Sequence, residues 1–161
     1  MKKYVKTFVA GALILSVSAC NSGSKTSENP SDTNQNIEMG VSAIDFKTAE
    51  NYFVKNTVTN TVPAKITTQE EFDKYFGMAT TMGENGKPTA IDFSKEYVIV
   101  IDHIQTKNKT EMVLSGVEKK GEDIIVNYTV NEGEDAGYET RPFLMIIVDK
   151  NIEGNVVLNK Q

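Results

Sequence analysis

The sequence predicts a mainly β domain of the α+β class, an antiparallel sheet or small sandwich with one short helix packed on it. Three observations predict it. Beyond position 90 the apolar residues fall in runs of strand length, at 97–104, 111–117, 123–130, 143–148 and 155–158. The gaps between these runs are short, whereas parallel neighbours need a crossover of about a dozen residues or more, so consecutive strands are expected to run antiparallel. Only residues 68–77 space their aromatic side chains at helical intervals.

The elements follow in order. Tyr52-Phe53-Val54, with Val58, predicts a first strand that Asn56 and Asn60 weaken. Thr68-Gln69-Glu70-Glu71 is a capping box, in which the Thr68 hydroxyl accepts from the Glu71 N–H and the Glu71 carboxylate returns to the Thr68 N–H. Phe72, Tyr75 and Phe76 then form one aromatic face for docking on a sheet, and Gly77 is expected to end the helix in a left-handed conformation. The run YVIVIDHI from Tyr97 is nearly continuously apolar at first, which predicts a central strand covered on both faces. Strands at 111–117 and 123–130 are joined by a turn at 119–122, where Gly121 can take positive φ. In the second of these, Ile124, Val126, Tyr128 and Val130 alternate with Ile125, Asn127 and Thr129, the period of a strand with one drier face. A strand at 143–148, a turn at 151–154 and a strand at 155–158 close the set.

The N-terminus carries a different signal. Lys2, Lys3 and Lys6 form a basic start, residues 7–15 an apolar segment, and Ser18-Ala19 small residues directly before Cys20, the only cysteine. This is the layout of a bacterial lipoprotein signal. Residues 1–19 are read as the cleaved peptide and Cys20 as the lipidation site. Residues 7–19 fall short of the about 20 apolar residues that span a bilayer. Residues 21–36, NSGSKTSENPSDTNQN, contain no apolar side chain and cannot offset chain entropy by burial, so residues 20–40 are expected to be a disordered tether. As a flexible coil it would hold the domain, residues 41–161, about 20 to 25 Å from the anchor. Asn21 in place of Asp lacks the resemblance to an inner-membrane retention signal, so delivery to the outer membrane is expected, with the domain facing the periplasm or the outside.

The whole chain has 17 basic and 22 acidic residues; loss of Lys2, Lys3 and Lys6 leaves 14 against 22, a net charge of −8. Such a surface repels phosphate backbones, which argues against nucleic-acid binding, and the membrane association expected is through acyl chains rather than a basic patch.

The run Ile91-Asp92-Phe93-Ser94-Lys95-Glu96-Tyr97-Val98-Ile99-Val100, then Gly116-Val117 through Gly121-Glu122-Asp123-Ile124-Ile125-Val126-Asn127-Tyr128, then Arg141-Pro142-Phe143, resembles the C-terminal domain of PrcB-type proteins. The family takes its name from an accessory subunit of a surface protease complex. The resemblance implies association with proteases rather than an activity. Members commonly carry proline, threonine and Gly-Tyr between the first two core strands; here that stretch is Ile104-Gln105-Thr106-Lys107-Asn108-Lys109-Thr110, without proline, glycine or tyrosine.

No nucleophile elbow, zinc-protease helix, phosphate loop or dinucleotide fingerprint is present. The single histidine, His103, lies in a strand pattern and is read as a hydrogen-bonded sheet residue, not as a base. Glu132-Gly133-Glu134-Asp135 is oxygen-rich but lacks the EF-hand spacing, so it is read as a solvated acidic loop. No enzyme activity, metal or cofactor is assigned. If the strands from Tyr97 run antiparallel in succession, residues 105–109 and 131–142 emerge as loops at one end, with the turns at 119–122 and 150–154 at the other. The first end then gathers Lys107, Lys109, Glu132, Glu134, Asp135 and Tyr138 into a candidate partner-binding rim. The expected function is a lipid-anchored, non-enzymatic envelope protein that binds a partner protein, a protease in the leading reading. The alternative is a structural or assembly subunit of an envelope complex with no protease link.

Overall fold

The computed structural model describes residues 40–80, 82–83 and 86–161, all within one compact unit, Ile37–Gln161. In chain order the elements are β1 (Val41–Ala43), β2 (Lys47–Thr48), β3 (Tyr52–Val54), β4 (Lys65–Ile66), α1 (Gln69–Tyr75), β5 (Phe76–Met78), β6 (Glu96–Asp102), β7 (Thr106–Lys120), β8 (Asp123–Thr140), β9 (Phe143–Asp149) and β10 (Asn155–Lys160). They form two four-stranded sheets, ordered β1-β7-β8-β10 and β2-β9-β6-β4, and a small pair, β3-β5. The fold is mainly β with one short helix.

A single folded ribbon builds both large sheets. The β6–β9 ladder pairs Glu96 with Asp149 and Asp102 with Phe143. Its hydrogen bonding continues from His103 N–H to the Pro142 carbonyl, 3.0 Å. The β7–β8 ladder then starts at Thr106 opposite Thr140 and runs to Lys120 opposite Asp123. The two ladders are therefore halves of one antiparallel hairpin closed at Gly121, whose φ of 60° supplies the left-handed turn. The hairpin bends back on itself between them. The bend lays the inner face of β7 and β8 against one face of β6 and β9.

The apolar run of β6 is buried on both sides because it lies in the middle of three layers. Tyr97, Ile99 and Ile101 join Ile146 and Val148 from β9 and Val117, Ile124 and Val126 from β7 and β8 in one core. Val98 and Val100 face the other way, with Met145 and Ile147, into a second core closed by Phe72, Phe76, Val54, Val62 and Ile66. Within that core Phe72 meets Tyr52 edge-on at 5.2 Å between ring centroids, Phe76 at 5.0 Å and Phe93 at 5.5 Å. The expected aromatic face of α1 thus docks on a sheet, with Tyr75 only half-buried.

Several expectations are corrected. Thr68 caps α1 by accepting from the Glu71 N–H at 3.2 Å, but among the described residues Glu71 makes no return bond to Thr68. Gly77 is not a left-handed stop: Phe76 ends the helix in an extended conformation, φ −113° and ψ 145°, and the chain passes straight into β5. The close approach at Gly77 comes from the opposite strand instead. Gly77 pairs with Phe53 across the β3–β5 ladder, and a Cβ at Gly77 would lie 2.5 Å from the Phe53 ring. Val58 lies beyond β3, in a turn whose N–H bonds to Lys55.

Consecutive strands do not all pair antiparallel. β10 runs parallel to β8, with Val156 opposite Ile124 and Leu158 opposite Val126. Between them β9 lies in the other sheet. The turn at 150–154 carries the chain across the sandwich, so β10 lands beside β8 after a full crossover, the length that parallel pairing requires.

Candidate partner-binding rim

The residues expected to form two loops at the bend are strand. Residues 106–109 belong to β7 and 131–140 to β8. Neither stretch has an apolar face, and an apolar face is the only strand signal that sequence periodicity carries, so the sequence by itself predicts loops there. Here the backbone ladder simply continues from β6 and β9, with no buried side chain along residues 106–111 or 131–140.

The ladder is irregular at this point. Thr106 pairs with Thr140 but Asn108 pairs with Asp135, so Lys107 alone faces residues 136–139. Thr110 then pairs with Glu132, so Lys109 faces Gly133 and Glu134. Such bulges leave residues unpaired and sharpen the local bend and twist. Lys107, Lys109, Glu134 and Tyr138 are all bulge residues, whereas Glu132 and Asp135 sit at paired positions. All six are exposed. The bend brings the whole expected rim onto one curved two-stranded surface; Cys20 lies outside the described residues.

Local hydrogen bonds hold the rim's shape. Asp135 Oδ1 accepts from the Gly137 N–H at 2.7 Å, and Gly137 has φ 77°, a tight turn that aims the next residue, Tyr138, outward with 63% of its surface exposed. Gln105 Nε2 donates to Glu139 Oε2 at 2.7 Å across the ribbon. Asn108 Nδ2 donates to Glu132 Oε2 at 3.3 Å, and the other Glu132 oxygen lies 3.6 Å from His103 Nε2. His103 Nδ1 is 2.9 Å from the Ile104 carbonyl; β6 ends at Asp102, so the histidine expected within a strand lies just beyond it, tied to the hairpin by its backbone N–H. Ile104 beside it is 77% exposed.

The residues that fix the bend itself were not identified from the sequence. Arg141 grips Asp102 with a two-pronged pair, Nε to Oδ1 at 2.9 Å and Nη2 to Oδ2 at 2.6 Å. Two further N–H donors reach the Val58 carbonyl at 2.7 Å and the Asn60 carbonyl at 2.8 Å. Asp102 Oδ2 also accepts from the Val62 N–H at 3.0 Å. Hydrogen bonding to Asp102 raises the Arg141 pKa above its ordinary value. One side-chain pair thus ties the end of β6, the start of β9 and the segment 58–62 together. A signal existed: Arg141 is the only arginine among the 17 basic residues, and Asp102 ends an otherwise apolar strand.

No family model, curated protein or solved structure matches the chain. What the rim can do therefore rests on its own chemistry. It offers one exposed aromatic side chain, one exposed aliphatic side chain and charges of both signs on a braced ribbon. Among the described residues no group of three or more His, Cys, Asp or Glu side chains is placed to hold a metal ion.

Proposed function

We propose that the chain is a lipid-tethered, non-enzymatic protein of the bacterial envelope that binds a partner protein through the bend of its ribbon. The observation that carries this reading is the exposed Tyr138, aimed outward by the Asp135–Gly137 turn among the charges of the bulges. Aromatic residues dominate interface hot spots, and their few rotatable bonds limit the freedom lost on binding. The N-terminal layout ending at Cys20 supports the tether, and the resemblance to PrcB-type domains supports a protease as the partner.

Two experiments test the parts separately. Metabolic labelling with a fatty-acid analogue is expected to mark the wild-type protein and to leave Cys20→Ala unlabelled and unprocessed; equal labelling of both removes the tether. For the rim, the full-length lipoprotein is used to capture its partner from detergent-solubilised envelope, with protease content read by mass spectrometry. Tyr138→Ala is expected to cut capture by about thirtyfold, the size of a 2 kcal/mol hot spot. Reversal of Lys107 and Lys109 to Glu costs less. Melting should change by no more than about 0.5 kcal/mol for any of these exposed sites. Undiminished capture across the set places the functional surface elsewhere, and a captured set without proteases favours an assembly subunit.

A further inference from the structure

At the end of the sandwich opposite the bend, where the Gly121 turn meets the turn before β10, lies an open cleft of about 640 Å³. Three of its lining residues are lysines from three separate elements: Lys65 of β4, Lys119 of β7 and Lys150 of the turn after β9. Their convergence is produced by the tertiary fold, since 31 or more positions separate them in an acidic chain of net charge −5.

Each ammonium is held by a backbone carbonyl. Lys65 Nζ donates to Gly154 O at 3.1 Å, Lys119 Nζ to Glu153 O and Lys150 Nζ to Phe93 O. Lys65 and Lys119 therefore stand on successive peptide groups. Gly154 makes the arrangement possible: its φ is 155°, and a Cβ there would lie 2.6 Å from the Lys119 ammonium and 2.6 Å from the Glu122 carbonyl oxygen. A carbonyl positions an ammonium without cancelling its charge, and each ammonium has three donors, of which the carbonyl takes one.

Three lysines elsewhere in the fold are neutralised by carboxylates. Lys47, Lys74 and Lys95 pair with Glu96, Glu70 and Asp92. Among the described residues none of the three cleft lysines forms such a pair, although Glu122 and Glu153 also line the cleft. The cleft wall adds no negative charge at Tyr97, whose ring lies 4.4 Å from Lys65 Nζ. The Tyr97 hydroxyl donates to the Ile152 carbonyl at 2.9 Å, and burial pushes its pKa up to about 12.

We propose that this cleft is a binding site for an oxyanion, a phosphate or carboxylate group seated between the ammoniums of Lys65 and Lys119 with Lys150 at its edge. The free N–H donors supply charge-assisted hydrogen bonds to it. An oxyanion there also offsets the mutual repulsion of two like charges held on adjacent peptides. The volume lies within the range of small-molecule sites, and the open side leaves room for whatever the oxyanion is attached to.

The test is lysine footprinting of the full-length protein by reductive methylation and mass spectrometry, at low ionic strength. One arm adds inorganic phosphate or citrate; the other adds phosphatidylglycerol vesicles. At about ten times Kd roughly one site in ten is free, so labelling of Lys65 and Lys119 is expected to fall by up to about tenfold while Lys107 and Lys109 are unchanged. Protection by the soluble anions assigns a free ligand, and protection by vesicles alone assigns a lipid headgroup; either supports the site. The soluble anions should also raise the melting temperature of the wild type, and Lys65→Gln with Lys119→Gln should abolish the rise; these amides can still donate to the carbonyls but carry no charge. The proposal is overturned if no anion protects these lysines up to about 20 mM, a bound that excludes even millimolar affinity. It is equally overturned if protection extends to Lys107 and Lys109, or if the double variant keeps the full melting shift.

Discussion

Replacement of Arg141 by alanine is expected to lower the unfolding free energy by about 3 kcal/mol, measured by urea denaturation. The size follows from what the guanidinium leaves behind. Asp102 is only 5% exposed in its side chain, so its carboxylate loses an ionic partner without gaining full access to water. The carbonyls of Val58 and Asn60 lose their donors in the same substitution. Arg141→Lys should recover little, because an ammonium cannot reproduce the planar fork that meets both Asp102 oxygens and two carbonyls. Replacing both partners, Arg141→Met with Asp102→Leu, should cost less than Arg141→Ala alone, since no buried charge then lacks a partner. A loss below about 1 kcal/mol for Arg141→Ala would mean that water already screens the pair, as it does at exposed sites. Because the pair ties the segment 58–62 to the bend, partner capture should fall in Arg141→Ala while Tyr138 itself is intact.

Phe72→Ala should be at least as damaging, by about 3 to 5 kcal/mol. Phe72 is 3% exposed and is the ring on which Tyr52, Phe76 and Phe93 all converge. Its removal opens a cavity that its neighbours, fixed on β3, β5 and the segment before β6, can close only in part. Tyr75→Ala, on the half-buried edge of the same helix, should cost distinctly less. The loss is also expected to be local. Phe72 belongs to the core between the β6 sheet and the helical layer, whereas Ile124 and Val126 belong to the core on the other side. Amide exchange in α1, β3 and β5 should accelerate well before exchange in β7 and β8. Uniform acceleration would instead mean that the two cores open as one cooperative unit.

The sequence determined by itself those features that residues close in the chain decide. The apolar run of β6, the alternation of Ile124, Val126 and Tyr128, the Gly121 turn and the capped aromatic helix each depend on spacing over fewer than about ten residues, and each is present in the fold. The short strands β1, β2, β4 and β5 escaped notice because two or three residues carry no period. The polar ends of β7 and β8 escaped for a related reason: their pairing is carried by backbone groups that every sequence possesses. What only the tertiary structure decided concerns partners far apart in the chain. The ring that covers Gly77 belongs to Phe53 of the opposite strand, not to the helix before it. Arg141 meets Asp102 across 39 positions, and Lys65 meets the Gly154 carbonyl across 89. β10 lies parallel to β8 because β9 crosses to the other sheet. Local periodicity reports which face of a strand is dry; it carries no information on which distant strand supplies the dry surface, and it is that choice which brings the charges of the bend and of the lysine cleft together.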